Sequence, residues 1–303
     1  MVSHRAGSSG PDRAPVERAV GSRSGPMAVR IALGTQLRRL REASHITSGE
    51  AAEAIRATHS KISRLERGRS GARQRDIGDL LSLYGVTDEG ERAALLMLAR
   101  QANGRGWWQQ YSDVLPKWFE RYIGLEKAAS VIRTYEAQLV HGLLQTEDYA
   151  RAVIVANGHV PPGEIDRCVS VRMQRQLLLT QPAAPELWAV LDEAALHRFP
   201  GSPGMKRAQI AHLLAMTDLP NVTLQVMPFR AGLHAAADGP FTILRFPEPD
   251  LPDLVYLEHL GGALYLDQHD DVGNYIAVMN QLCVQAETHA ASTDMLAALL
   301  AQQ

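Results

Sequence analysis

Cysteine is nearly absent from the sequence. Cys168 and Cys283 are far apart and lack CxxC spacing, which argues against a disulfide framework and suits a reducing compartment. No apolar run reaches the ~18 residues that a membrane span requires, so no membrane association is expected. The N-terminal stretch has no apolar h-region, so no secretory signal is expected and the chain reads as cytoplasmic. Metal-binding spacing is missing as well. His141, His197, His234, His259 and His269 form neither HxxxH nor HExxH, and no metal site is expected. There is no nucleophile elbow, P-loop or dinucleotide fingerprint. Neither a catalytic residue nor a cofactor is expected, and the chain reads as a non-enzyme.

What is present is unevenly distributed. The formal net charge of the 303 residues is −2, but residues 27–106 hold 14 Lys/Arg against 9 Asp/Glu, and residues 107–303 hold 13 against 22. A small basic module fused to a larger acidic one implies that only the first part meets a polyanion. Residues 1–26 are rich in Ser, Gly, Pro, Arg and Ala and carry too little apolar surface to offset ordering entropy, so they read as a disordered leader.

The organising stretch is Thr47–Gly68, TSGEAAEAIRATHSKISRLERG. It reads as two short helices joined by a tight turn. Thr47 and Glu50 have capping-box spacing, Thr58 caps the second helix, and Gly68 has the place of a C′ residue. A helix over Ile31–Ala43 precedes them. Helices over Arg73–Tyr84 and Asp88–Gln101 follow, giving a five-helix module over residues 27–103. Asn103–Gly106 reads as a linker.

Residues 107–303 mix periods and read as an α+β domain. Strands are expected at Val131–Tyr135, Leu187–Leu191, Val222–Met227, Pro240–Phe246, Leu254–Glu258 and Ala263–Asp267. In Val222–Met227 the apolar residues alternate with polar ones, so one sheet face is either solvated or differently covered. Helices are expected at Glu147–Asn157, Glu164–Thr180, Lys206–Thr217, Asp271–Ala286 and Thr293–Ala301. On the second of these, Leu177 and Leu178 are expected to face inward and Arg172 and Arg175 to pair within the acidic domain. An aromatic group, Trp107, Trp108, Tyr111, Trp118, Phe119 and Tyr122, opens the domain and reads as packing.

Residues 31–85 resemble the Xre family of lambda-repressor-like helix-turn-helix regulators, through Ala52, Thr58 and Ile62-Ser63-Arg64-Leu65-Glu66-Arg67-Gly68. They depart from it at Arg56, where the family usually has a turn glycine. Residues 107–303 resemble the antitoxin-type C-terminal domain attached to such modules in regulators of high-GC bacteria. The segments are Leu125–Ala129, Gly142–Thr146 with Tyr149–Arg151, Arg172–Gln176, Leu191–Leu196, Met227–Gly232 and Gly239–Leu244. The resemblance implies a transcription regulator, often paired with a small neighbour-encoded protein, and it puts His59, Ser60 and Lys61 at base-reading positions.

From the residues themselves, Lys61 and Arg64 lie three apart on one helix face and are suited to guanine O6 and N7. Ser63 and Arg64 are divided between base and phosphate. Ser48, Arg38, Arg41, Arg67 and Arg69 are candidate phosphate contacts, whereas Glu66 is expected to pair with an arginine of the module. The expected partners are double-stranded DNA, a second copy in a homodimer, and a small partner protein. The rival reading is a one-component regulator whose second domain senses a small molecule. Trp107, Trp108 and Trp118, or Arg230, His234 and Asp238 on the 229–239 loop, would then contact the ligand or partner.

Overall fold

The computed structural model describes residues 26–104, 106–247 and 251–302. The leader expected at 1–26 lies outside the described residues up to position 25, and so does Arg105 of the linker. The chain forms two compact units, one from Val29 to Asn103 and one from Gly104 onward, with residues 26–28 counted to the second.

The first unit is all-α. Helix α1 spans Pro26–Ala43, five residues longer at its start than the expected Ile31–Ala43. Proline suits a first helical position, and the buried stripe is Val29, Leu33 and Leu37 rather than one beginning at Ile31. Next come α2 (Ser48–Ala54), α3 (His59–Glu66), α4 (Gln74–Leu83) and α5 (Glu89–Ala102). Local chemistry sets their ends. Thr47 and Glu50 form the full capping box. Thr58 and Asp88 cap α3 and α5 through their side-chain oxygens. Asn103 closes α5 by donating to the carbonyls of Ala72 and Ala99. One core, including Leu37, Ala51, Ile62, Ile77, Leu81 and Leu95, joins all five helices. The small Ala51 and Ala52 let α3 and α4 approach α2.

The second unit is α+β. After a 3-10 turn at Trp107–Tyr111 come α6 (Lys117–Ala128), β1 (Val131–Glu136), α7 (Glu147–Asn157), α8 (Ile165–Gln176) and β2 (Glu186–Asp192). Then follow α9 (Pro203–Thr217), β3 (Val222–Met227), β4 (Phe241–Arg245), β5 (Leu254–His259), β6 (Gly262–Leu266), α10 (His269–Gln285) and α11 (His289–Ala301). The six strands form one mixed sheet in the order β3-β2-β1-β4-β5-β6. Strands β1, β2 and β3 are parallel, joined through helices as parallel neighbours require. Strands β4, β5 and β6 run antiparallel, with a two-residue turn at Leu260-Gly261. Helix α10 covers one face over Tyr135, Val190, Phe241, Ile243 and Val255.

Two expectations need correction. Helix α6 was anticipated only as spaced aromatics. The Glu164–Thr180 helix ends at Gln176 and continues as a 3-10 turn, with Leu177 exposed and Leu179 buried instead. On β3 the second alternative holds, a differently covered face: Gln225 is buried, accepts from Trp188 Nε1 at 2.7 Å and donates to the carbonyls of Cys283 and Glu287.

Polar groups gather on the β1 face opposite α10. Glu126 of α6 and Arg175 of α8 form a fully buried two-pronged pair at 2.7 and 2.9 Å, so the expected arginine pairing holds for Arg175. Arg172 donates to Gln145 Oε1 at 2.8 Å. Desolvation, assisted by the Glu258 charge, pushes the Glu136 carboxyl up to about 8, and burial pushes the His141 imidazole down to about 4. The two act oppositely on stability. Between the ordinary value of 4.5 and about 8, the folded state holds the Glu136 proton and the unfolded state does not, so this contribution is lost as pH rises. Between about 4 and 6.5 the unfolded state holds the His141 proton, so that contribution is lost as pH falls. Above pH 6.5 only the Glu136 slope remains. The thermal midpoint of this unit is expected to fall from pH 6.5 to 8, at a slope of at most ~1.4 kcal/mol per pH unit, and Glu136→Gln is expected to flatten it. All four tryptophans lie between 107 and 188, so their emission follows this unit alone. An equal slope in Glu136→Gln refutes the assignment.

Candidate nucleic-acid interface

Helix α3 is two-faced by sequence. Ile62 and Leu65 are buried to 0% and 3% exposure, while His59, Ser60 and Arg64 are exposed and Lys61 and Ser63 half-buried. Its start is fixed by Thr58, whose hydroxyl accepts from the Lys61 N–H at 3.3 Å. Its end is a Schellman motif: the Gly68 N–H reaches the Leu65 carbonyl at 3.0 Å and the Arg69 N–H reaches the Arg64 carbonyl at 2.8 Å. Gly68 has φ +63°, the left-handed value that this motif needs. In the turn between α2 and α3, Arg56 takes φ +51° where a glycine was expected. The left-handed turn is kept, at a backbone penalty of about 1 kcal/mol.

Two further contacts set α3 against α1. A Cβ built on Gly34 of α1 comes within 2.5 Å of the Leu65 carbonyl oxygen and 2.6 Å of that of Glu66, so only glycine fits this crossing. Beside it, Arg41 of α1 makes a two-pronged pair with Glu66 at 2.6 and 3.1 Å and donates to the Ile46 carbonyl at 2.9 Å. The Glu66 bond, the largest influence, raises the Arg41 pKa, and burial opposes it.

The expected contact residues therefore fall into two groups. Arg41 is a correction. It is buried and its guanidinium is engaged by Glu66 and Ile46, so it is not placed to meet a phosphate. The Glu66 expectation holds, with Arg41 as the arginine. Arg38 is exposed and pairs along its own helix with Glu42 at 2.8 Å. Arg67 and Arg69 are exposed just past α3, and Ser48 is half-buried at the start of α2. Lys61 does not run outward with Arg64: its ammonium lies 2.7 Å from the Asp76 carboxylate on α4. Residues that sequence reasoning passed over, Gly34 and Asp76, act across 31 and 15 positions.

In the second unit the six expected ligand or partner residues do not converge. Trp108 is buried with Leu115, Ile123 and Val171. Trp107 stands edge-on to it at 6.0 Å and lines an open cleft of about 680 Å³ with Gln109, Gln110, Ser112, Lys117 and Glu120. Trp118 packs on Phe119, and its carbonyl accepts from the Tyr265 hydroxyl. On the other loop Arg230 pairs with Glu287, and Asp238 is exposed. His234 Nε2 lies 3.0 Å from the Tyr135 hydroxyl and 3.7 Å from the Asp192 carboxylate. Its Nδ1 accepts from the Ala236 N–H, which places the ring proton of the neutral form on Nε2. These bonds pin the loop to the sheet while Phe229 and Leu233 stay exposed.

Among the described residues, no helix is long and apolar enough to cross a membrane. No curated protein and no solved structure matches the chain. Residues 32–95 match the helix-turn-helix domain family, which supports a DNA-binding regulator. Residues 119–298, more than half of the chain, match a domain of unknown function, DUF5753. With most of α1, all of α2, α3 and α4 and the first half of α5 inside the first match, and the sheet inside the second, the chain belongs to the DUF5753 family and carries a helix-turn-helix domain ahead of it.

Proposed function

We propose that the chain is a sequence-specific transcription regulator of the Xre type, in which α3 enters the major groove. His59, Ser60 and Arg64 meet base edges, Ser63 bridges towards the backbone, and Arg38, Arg67, Arg69 and Ser48 meet phosphates. The observation that carries this reading is the two-faced α3, buried on Ile62 and Leu65 and exposed on His59, Ser60 and Arg64, held by a cap at each end. Arg64→Ala is expected to weaken binding to a selected duplex by ~1–3 kcal/mol, the range for one good base contact. Arg100→Ala removes the same charge from an exposed site on α5 and is expected to change affinity far less. Equal losses for the two, in a mobility-shift titration at one salt concentration, exclude α3 as the reading helix.

For the second unit we propose an antitoxin-like role: it holds two copies together, binds a small partner protein, or does both, in the cytoplasm. Exposed Phe229 and Leu233 beyond β3, and exposed Leu260 and Leu264 at the β6 edge, support contact at the two edges of the sheet, and the unit's acidity keeps it off DNA. The cleft beside Trp107 supports the second reading, a small-molecule sensor. Native mass spectrometry of the protein purified from its own cells separates them. An added polypeptide mass favours the partner, an added mass of a few hundred daltons favours the sensor, and a bare monomer removes both the dimer and the partner.

A further inference from the structure

We infer that Asp76 is a positioning residue for DNA recognition: it fixes the direction of the Lys61 ammonium and so lowers the sequence-independent part of DNA binding. The inference rests on α3 being the reading helix.

Lys61 lies in the first turn of α3, next to exposed Ser60. Its stem runs sideways to α4, where the ammonium meets the Asp76 carboxylate at 2.7 Å. The Asp76 side chain is 14% exposed and the Lys61 side chain 37%. The carboxylate is thus the better-buried anchor and the lysine the arm that reaches it. Asp76 also lies in the first turn of α4, where the helix dipole favours a negative charge. That dipole favours its charge whether or not Lys61 is present.

A lysine on a free four-carbon stem is a compact point charge that settles on whichever phosphate is near. Such a contact adds affinity for every sequence alike. Held on Asp76 at 2.7 Å, the ammonium is paired and drawn towards α4 and away from a roaming phosphate contact. It keeps N–H donors beyond the one engaged by Asp76, and these point in a set direction from a site beside Ser60. A base-edge acceptor at that site gains a charge-assisted donor; a phosphate elsewhere gains none. Asp76 thereby turns a roaming backbone contact into a directed one.

The test uses the full-length chain and two probes: a random-sequence duplex, and selection from a random duplex pool. Asp76→Asn is expected to bind the random duplex more tightly, and its slope of log affinity against log salt is expected to steepen by ~0.9, the value for one added phosphate contact. Its selected pool is expected to lose sequence information at one or two adjacent base pairs. Asp76→Glu is expected to restore part of both. Removing a negative charge near DNA raises affinity by itself, so the same Asp76→Asn change is also made in a Lys61→Met background, where the slope is expected to stay constant. Lys61→Met alone is expected to leave the random-duplex slope at the wild-type value, and this variant keeps Asp76 and its helix start intact. A slope reduced by one contact in Lys61→Met means that Lys61 already sits on a phosphate, and overturns the inference. So does an unchanged slope and an unchanged selected motif in Asp76→Asn. A wild-type chain that enriches no motif removes the reading of α3 itself, and the inference with it.

Discussion

Glu66→Ala is expected to destabilise the helix-turn-helix unit by ~3–5 kcal/mol, the range for breaking a buried ion pair by removing one partner. The reason is the state in which it leaves Arg41. That guanidinium is buried, and two of its bonds go to Glu66. Without the carboxylate its charge keeps, among the described residues, the Ile46 carbonyl and the exposed Glu42 at 3.6 Å. A unit of about 75 residues has only ~4–11 kcal/mol of stability in total, so the substitution removes a large share of it. Circular dichroism at the helical band is expected to show an early transition, while tryptophan emission, which comes wholly from the second unit, keeps its own midpoint. The pair is not expected to be worth its full breaking penalty. Replacing both members by apolar residues, Arg41→Met with Glu66→Leu, is expected to recover most of the loss. A single Glu66→Ala within ~1 kcal/mol of the wild type would place the pair among ordinary surface bridges.

The second large effect is expected at Glu126→Ala, again ~3–5 kcal/mol, but in the other unit and with the opposite readout. Arg175 would keep its place against the Phe119 and Tyr122 rings at 5.0 and 5.4 Å, but without the one carboxylate that, among the described residues, lies within ion-pair distance. Here tryptophan emission is expected to shift to a lower midpoint. Arg175→Lys is expected to lose most of the same stability, because a single ammonium does not reproduce two parallel bonds to both carboxylate oxygens. If Arg175→Lys is neutral, charge alone carries the pair and its geometry does not.

What the sequence disclosed follows from how far each signal reaches. Thr47 with Glu50, Thr58 and Gly68 act over three to five positions, and the ends of α2 and α3 were legible from them. Strand β3 was placed to the residue by its period of two. Arg41 was misread as a phosphate contact because its partner lies 25 positions away, and no local pattern distinguishes a solvated arginine from one turned inward. The turn at Arg56 kept its left-handed backbone without glycine, so the missing motif letter did not alter the geometry. Helix α6 showed no clean stripe because Tyr122, Ile123, Gly124, Leu125 and Glu126 are buried in succession, which hides the helical period. On α8 the apparent apolar face was inverted: Arg175 is inside and Leu177 outside, since the buried carboxylate of Glu126 is a better partner for that face than a leucine. On α3 the exposed set was legible and the sideways course of Lys61 was not, because it depends on Asp76 of another helix.

The glycine at position 34 has a consequence for regulation. With the backbone of α1 resting directly on the Leu65 and Glu66 carbonyls, and Gly68 in turn against Ile31, there is no side-chain layer at this crossing to deform. Tilting or sliding α3 requires opening the core around Leu37 and Ile62. The pair of α1 and α3 is therefore a rigid type-piece. On the proposed reading of α3, a signal has to act on where that piece is carried, or on how many are presented together, and not on its shape.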